Sequence, residues 1–101
     1  MASEVPEQLR LVARAQRDLD RIPLAERARV IDDLVRLVRK TFPGEIKRIV
    51  SLPGRPLQAD SGRFRILHVW DGAFLWVLAV FARPQQRDVF RGSRRKPRAA
   101  G

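Results

Sequence analysis

Residues 62–90, GRFRILHVWDGAFLWVLAVFARPQQRDVF, decide the fold. Two apolar runs flank Asp71-Gly72, and a DG pair between strand-like runs is a strong hairpin signal, because a type I′ turn needs positive φ at both central residues. Residues 63–70 alternate in polarity. Residues 73–82 are almost wholly apolar, as expected of a central strand covered on both faces. A two-residue turn at Asp71-Gly72 sets Trp70 opposite Ala73 and pairs Phe64 with Ala79, Arg65 with Leu78, and Arg63 with Val80. Because side chains alternate along a strand, one face carries Phe64, Ile66, His68 and Trp70 beside Leu75, Val77, Ala79 and Phe81. That face is expected to be the helix-covered core, with Trp70, Val77 and Phe81 buried. The other carries Arg63, Arg65, Leu67 and Val69 beside Phe74, Trp76, Leu78 and Val80. Arginines set among apolar side chains mark it as a binding surface.

Working outward, residues 57–60 form a third strand joined to Arg63 through Ser61-Gly62. This places Asp60 opposite Arg63 and Gln58 opposite Arg65 on the mixed face. Before it, PGRP at 53–56 is a turn, and EIKRIVSL at 45–52 is either a last helical turn or a connecting strand. Residues 24–40 carry Leu24, Ala28, Ile31, Leu34, Val35 and Val38 on one helical stripe, away from Arg27, Asp32, Asp33, Arg36 and Arg39. Pro23 suits the first turn of this helix, and Pro43-Gly44 closes it. Further upstream Val5, Leu9, Val12, Ala15, Leu19 and Ile22 recur at helical spacing, yet QLRLVA at 8–13 also reads as a short strand entering a helix at Arg14. Downstream, RPQQ breaks the strand, residues 87–91 add a short edge, and residues 92–101 read as a mobile basic tail. The expected architecture is α+β, a single domain over residues 1–91 with two helices from the N-terminal half packed on one face of a small antiparallel sheet.

A chain of 101 residues is long enough for one core without disulfides or metals, and it contains no cysteine. It fits a reducing cytoplasm, since its start lacks the apolar core of a signal peptide and the 73–82 run is too short to span a membrane. The net charge of +10 is unevenly spread: residues 1–45 hold nine Lys/Arg against eight Asp/Glu, and residues 46–101 hold twelve against three. The halves therefore carry +1 and +9, which points to an acidic partner such as nucleic acid or an acidic protein segment.

Familiar catalytic arrangements are mostly excluded. His68 is the one histidine, so no histidine-based metal cluster exists, and its place on the core face reads as structural. Ser51 and Ser61 have no recognisable base, and no glycine-rich phosphate loop occurs. No cofactor or metal is expected. What remains is Arg63, Arg65, Gln58 and Asp60 on one face, with Arg83 and Arg87 just beyond the next strand. Guanidinium forks suit a nucleic-acid backbone or the charge that develops at phosphorus during strand cleavage. The alternative use of the same residues is a cross-strand salt bridge on a solvated sheet.

Three pieces in order resemble the RelE/ParE superfamily of bacterial type II toxins. LVARAQRDLDRIP at 11–23 is similar to that family's strand leading into A-x-x-D-L-x-x-L-P. SGRFRILH at 61–68 is similar to its G-x-Y-R-[IVL]-[IVL]-Y strand, and VLAVFARPQQRDVFR at 77–91 to its closing V-x-x-[HK]-R-x-x-V-Y. The resemblance implies a RelE-like fold with a strand at 8–13, and an antitoxin that wraps and neutralises the chain. It also implies that the activity is metal-independent, ribosome-dependent cleavage of messenger RNA by 2′-hydroxyl attack, which inhibits translation and arrests growth. Carried over by position, Arg65 and Arg83 are the catalytic arginines, with Asp60 as the one carboxylate of the face. Among the other residues of the face and its edge, Arg63, Arg87 and Gln58 are expected to bind RNA, and the apolar strip of Phe74, Trp76, Leu78 and Val80 is expected to bind the partner. The chain departs from the ribonuclease branch at Gln58 and Asp60, where lysine or arginine is common, and at Phe90, where tyrosine is common. The alternatives are a ParE-like toxin that binds DNA gyrase, and a catalytically inactive relative that binds RNA or antitoxin.

Overall fold

The structure, a computed structural model, describes residues 5–83. Its elements in chain order are β1 (Leu9–Leu11), α1 (Ala13–Asp20), α2 (Leu24–Arg39), β2 (Ile46–Arg48), β3 (Leu57–Ser61), β4 (Phe64–Asp71) and β5 (Phe74–Ala82). The strands make one sheet in the order β1-β5-β4-β3-β2, antiparallel throughout except for the parallel β1–β5 pair. β4, rather than the more apolar β5, is the middle strand. Both helices contribute to one core with a single sheet face, so the α+β expectation holds. The stretch at 8–13 resolves as a short strand, Leu9–Leu11, that enters α1 at Ala13: Leu75 N–H donates to Gln8 O and Val12 N–H to Val77 O, which ties β1 to the edge of β5. The 45–52 stretch resolves likewise, with β2 paired to β3.

The central hairpin forms, but its turn sits one residue later than Asp71-Gly72. Asp71 is paired with Phe74, leaving Gly72 and Ala73 as the turn. Of these two only Gly72 has positive φ, 62°, the pattern of a type II′ turn, which needs glycine at its first central position alone. Trp70 consequently pairs with Leu75 rather than Ala73. The β3–β4 connection repeats the device: Gly62, at φ 61°, and Arg63 form the turn, and Ser61 pairs with Phe64. A register irregularity then falls between Leu67 and His68, where Val77 pairs with His68 but Ala79 with Leu67. Leu78 is thus the extra residue of a β-bulge.

Beyond the bulge the faces of β5 exchange. Val80 pairs with Ile66 and is buried in the core, whereas Phe81 pairs with Arg65 on the open face and is only half-buried. The expected burial of Phe81 and exposure of Val80 are therefore both reversed, and Ala79 moves to the open face with Phe81. Val77 is fully buried as expected. Trp70 is not: at the hairpin tip it remains 36 % exposed, with the Lys40 ammonium 5.2 Å from its ring centre.

The face of α2 also differs from the expected stripe. Val30, Asp33, Leu34 and Leu37 point inward, while Leu24 is exposed. Asp33 tolerates burial because both its oxygens are engaged: Ser61 Oγ donates to one at 2.6 Å, and Arg36 Nη1 lies 2.6 Å from the other. The helix ends at Lys40, which takes the left-handed conformation (φ 60°). Lys40 N–H donates to Leu37 O and Thr41 N–H to Arg36 O, the bond pair of a Schellman cap.

Two stability measurements follow from this packing. Asp33→Ala strands the buried Ser61 hydroxyl and breaks the helix–sheet link, so chemical denaturation should show a loss of about 2 kcal/mol. His68 is 1 % exposed, with Nδ1 3.4 Å from Ile66 O. Burial pushes its pKa down, against a smaller opposing effect of that backbone contact. Below the unfolded-state value near ~6.5, the unfolded chain takes up a proton that the native imidazole refuses, so stability falls as pH drops towards the lowered native value. His68→Gln should remove this part of the decline when unfolding midpoints are compared at about pH 7 and about pH 5.5.

Candidate functional site

The β3–β4 register sets Asp60 directly opposite Arg65, two positions from the expected partner Arg63. Arg65 Nε donates to Asp60 Oδ1 at 3.1 Å. Arg83 follows β5 and extends its ladder, its N–H donating to Arg63 O at 2.7 Å. From there Arg83 Nε lies 3.6 Å from Asp60 Oδ2, and its Nη1 donates to Gly62 O at 3.1 Å. The three residues expected to be catalytic are thus adjacent, with one guanidinium on each oxygen of the carboxylate. The side chains of Asp60 and Arg83 remain 39 % and 45 % exposed, so water screens the attraction and each pair contributes well under ~1 kcal/mol to stability. The arrangement holds the arginines in place more than it holds the fold together.

Gln58 lies two residues from Asp60 on the same strand face, and pairs across β2 with Lys47. Gly44, Glu45, Lys47, Gln58, Asp60 and Arg65 line a cleft of about 170 Å³. Lys47 and Glu45 escaped the sequence reading because the 45–52 stretch was open between helix and strand. Only the β2–β3 pairing assigns Lys47 to this face. Arg63 leaves the group. As a turn residue it reaches back to α2, where Nε and Nη2 donate to the two oxygens of Glu26 at 2.6 and 2.9 Å, and its guanidinium lies 4.5 Å from the Phe64 ring centre. Those hydrogen bonds hold the Glu26 carboxyl below its ordinary pKa and raise that of Arg63. Arg87, Phe90, the 87–91 edge and the 92–101 tail lie outside the described residues.

At the other end of the open face, Phe74 is 39 % exposed and the Arg10 guanidinium sits 4.7 Å from its ring centre. Trp76 is half-buried between its register partners Arg10 and Val69. Leu78, the bulged residue, is also half-buried. The apolar strip proposed for a partner therefore keeps Phe74, Trp76 and Leu78, loses Val80 to the core, and gains Phe81.

Chemically, the cleft offers the Arg65 guanidinium, an ammonium, an amide and two carboxylates, with the Arg83 guanidinium beside it on Asp60. The one imidazole, His68, is buried on the opposite face, and the chain has no phenol. Among the described residues no group of His, Cys, Asp and Glu is placed to hold a metal ion, and no helix is long and apolar enough to cross a membrane. The site's guanidinium and ammonium groups are of the kind that bind phosphate oxygens.

No family model and no curated protein matches the chain. Among solved structures it is similar to a chain of the toxin–antitoxin complex RelBE2 from Mycobacterium tuberculosis. The match has a TM-score of 0.54 and 24 % identity, and covers 74 % of this chain and 95 % of that one. The two share a RelE-type α+β fold.

The electrostatics of the cleft predict opposite effects for two substitutions. Asp60→Ala removes the carboxylate that occupies both guanidiniums and should shift elution from a heparin column to higher salt. Arg65→Ala should shift it lower, in proportion to the lost phosphate contact. Equal elution of both variants and the native protein would place anion binding elsewhere.

Proposed function

We propose that this chain is the toxin of a type II toxin–antitoxin pair and inhibits translation by cleaving messenger RNA on the ribosome. The observation that carries the reading is the convergence of Arg65 and Arg83 on Asp60, on the sheet face that no described helix covers, in a fold shared with a toxin–antitoxin complex. The setting would be the cytoplasm, where ribosomes are, and the partner an antitoxin that covers the open face over Phe74, Trp76 and Leu78 while acidic groups meet the arginines.

In the reaction the 2′-hydroxyl oxygen attacks the adjacent phosphorus, the bond to the 5′-oxygen of the next nucleotide breaks, and a 2′,3′-cyclic phosphate and a 5′-hydroxyl result. Arg65 and Arg83 stabilise the added negative charge on the non-bridging oxygens. In this reading Asp60 accepts the 2′-hydroxyl proton, and the Lys47 ammonium donates one to the leaving oxygen.

A second reading, a toxin that binds DNA gyrase without cleaving RNA, is favoured by one feature: the cleft has neither imidazole nor phenol to move protons. The two separate in purified systems. On programmed ribosomes the native protein should give cut transcripts, and Arg65→Ala should slow cutting about a hundredfold. Intact transcripts together with inhibited gyrase supercoiling would select the second reading.

A further inference from the structure

The β-bulge at Leu78 does more than relieve the register. It carries Phe81 out of the core layer and sets it directly across from Arg65, on the same face as Asp60 and next but one along the chain to Arg83. Without the bulge a core residue would take the position opposite Arg65, and Phe81 would lie under the helices, as simple alternation predicts. Among the described residues, β1 pairs with Leu75, Trp76 and Val77 of β5 and stops short of Phe81. The backbone there is finished by a side chain instead: Asp18 Oδ2 accepts from Val80 N–H at 2.9 Å. Among the described residues the edge of the sheet thus ends beside Phe81, which stays half-buried, and a cleft of about 260 Å³ between this edge and the end of α1, lined by Phe81, Val80, Asp18 and Pro23, opens there.

A half-buried aromatic side chain standing beside two guanidiniums is the pairing that single-stranded nucleic acids use. The phosphate is held by charge and the neighbouring base stacks on the ring, at a gain that every base can supply. We infer that Phe81 is the base-stacking residue of the Arg65–Arg83 site. It positions one nucleotide of a single-stranded RNA by its base while the arginines hold that nucleotide's phosphate. The inference rests on the RNA-directed reading above and adds to it a specific residue and a specific nucleotide contact. Recognition through the ring is indifferent to base identity, so the contact selects unpaired RNA over duplex, where the base faces are already stacked.

The test uses the full chain and short single-stranded RNA oligonucleotides, each with one nucleotide made abasic. The native protein should lose about tenfold in affinity at one abasic position, the value of a single stacked base. Phe81→Leu should bind the intact oligonucleotide about as weakly as the native protein binds that abasic one, and should show no further loss on it. Phe81→Trp should restore both affinity and abasic sensitivity. If Phe81→Leu fails to fold, the abasic scan on the native protein and Phe81→Trp still decide the matter. The inference is overturned if binding depends on Arg65 but no abasic position matters, or if Phe81→Leu keeps native affinity. It is also overturned if Phe81 is needed only for a protein partner. Absence of any RNA binding, by contrast, would sink the RNA-directed reading itself.

Discussion

Two glycines in the left-handed region, Gly62 and Gly72, set the geometry on which the rest of the protein depends. Each occupies the first central position of a two-residue turn, at φ 61° and 62°, where an L side chain would be strained. The second turn positions, Arg63 and Ala73, need no positive φ and have none. Fixing both turns fixes β3 against β4 and β4 against β5. The cross-strand contact between Asp60 and Arg65 is a direct consequence, as is the placement of Arg83 one step past the end of β5.

The helices hold this register from behind. Ser61, adjacent to Asp60, donates to the buried Asp33 carboxylate of α2, and Arg63 of the same turn clasps Glu26 at the start of that helix. Since successive residues point to opposite faces, Ser61 anchors inward while Asp60 presents outward. Displacing Asp60 from its place would therefore require breaking a buried, charge-assisted hydrogen bond, which costs more than its exposed ion pairs with Arg65 and Arg83 can return. Rigid backing of this kind is what a site needs if its arginines are to meet a phosphate without first being ordered.

Much of the fold could be read from residues alone, for reasons that also explain the errors. Asp71-Gly72 announced a hairpin, but the DG pair was assigned both turn positions when only the glycine required one. The resulting register was off by two residues. An even slip leaves every side chain on its face, so Phe64, Ile66, His68, Leu75 and Val77 were placed correctly with wrong neighbours. The bulge at Leu78 is an odd slip, and it exchanges the faces of Ala79, Val80 and Phe81. Nothing in an unbroken apolar run marks where such an extra residue sits, because neither face carries a polar side chain to betray the change. Asp33 was hidden differently: its burial depends on Ser61, a partner distant in sequence. Lys47 could not be assigned until β3 was in place to pair with its strand.

The grouping of Arg65, Arg83 and Asp60 was legible because its members were chosen by charge and position near strand ends, which survive an even slip. Its chemistry is narrower than its composition. Asp60 already occupies the place between two guanidiniums that a phosphate would take, so an arriving anion competes with it. The exposed carboxylate offers weak resistance, since water screens both contacts, while a phosphate brings more charge and more acceptor oxygens to the same forks. Displacement would leave Asp60 beside the bound phosphate with its guanidinium partners withdrawn. Among the described residues Asp60 is the carboxylate that contacts both arginines, so a phosphate arriving at the guanidiniums meets it directly. Binding a phosphate there would exchange the ion pairs of Asp60 with Arg65 and Arg83 for contacts between the two guanidiniums and the phosphate oxygens.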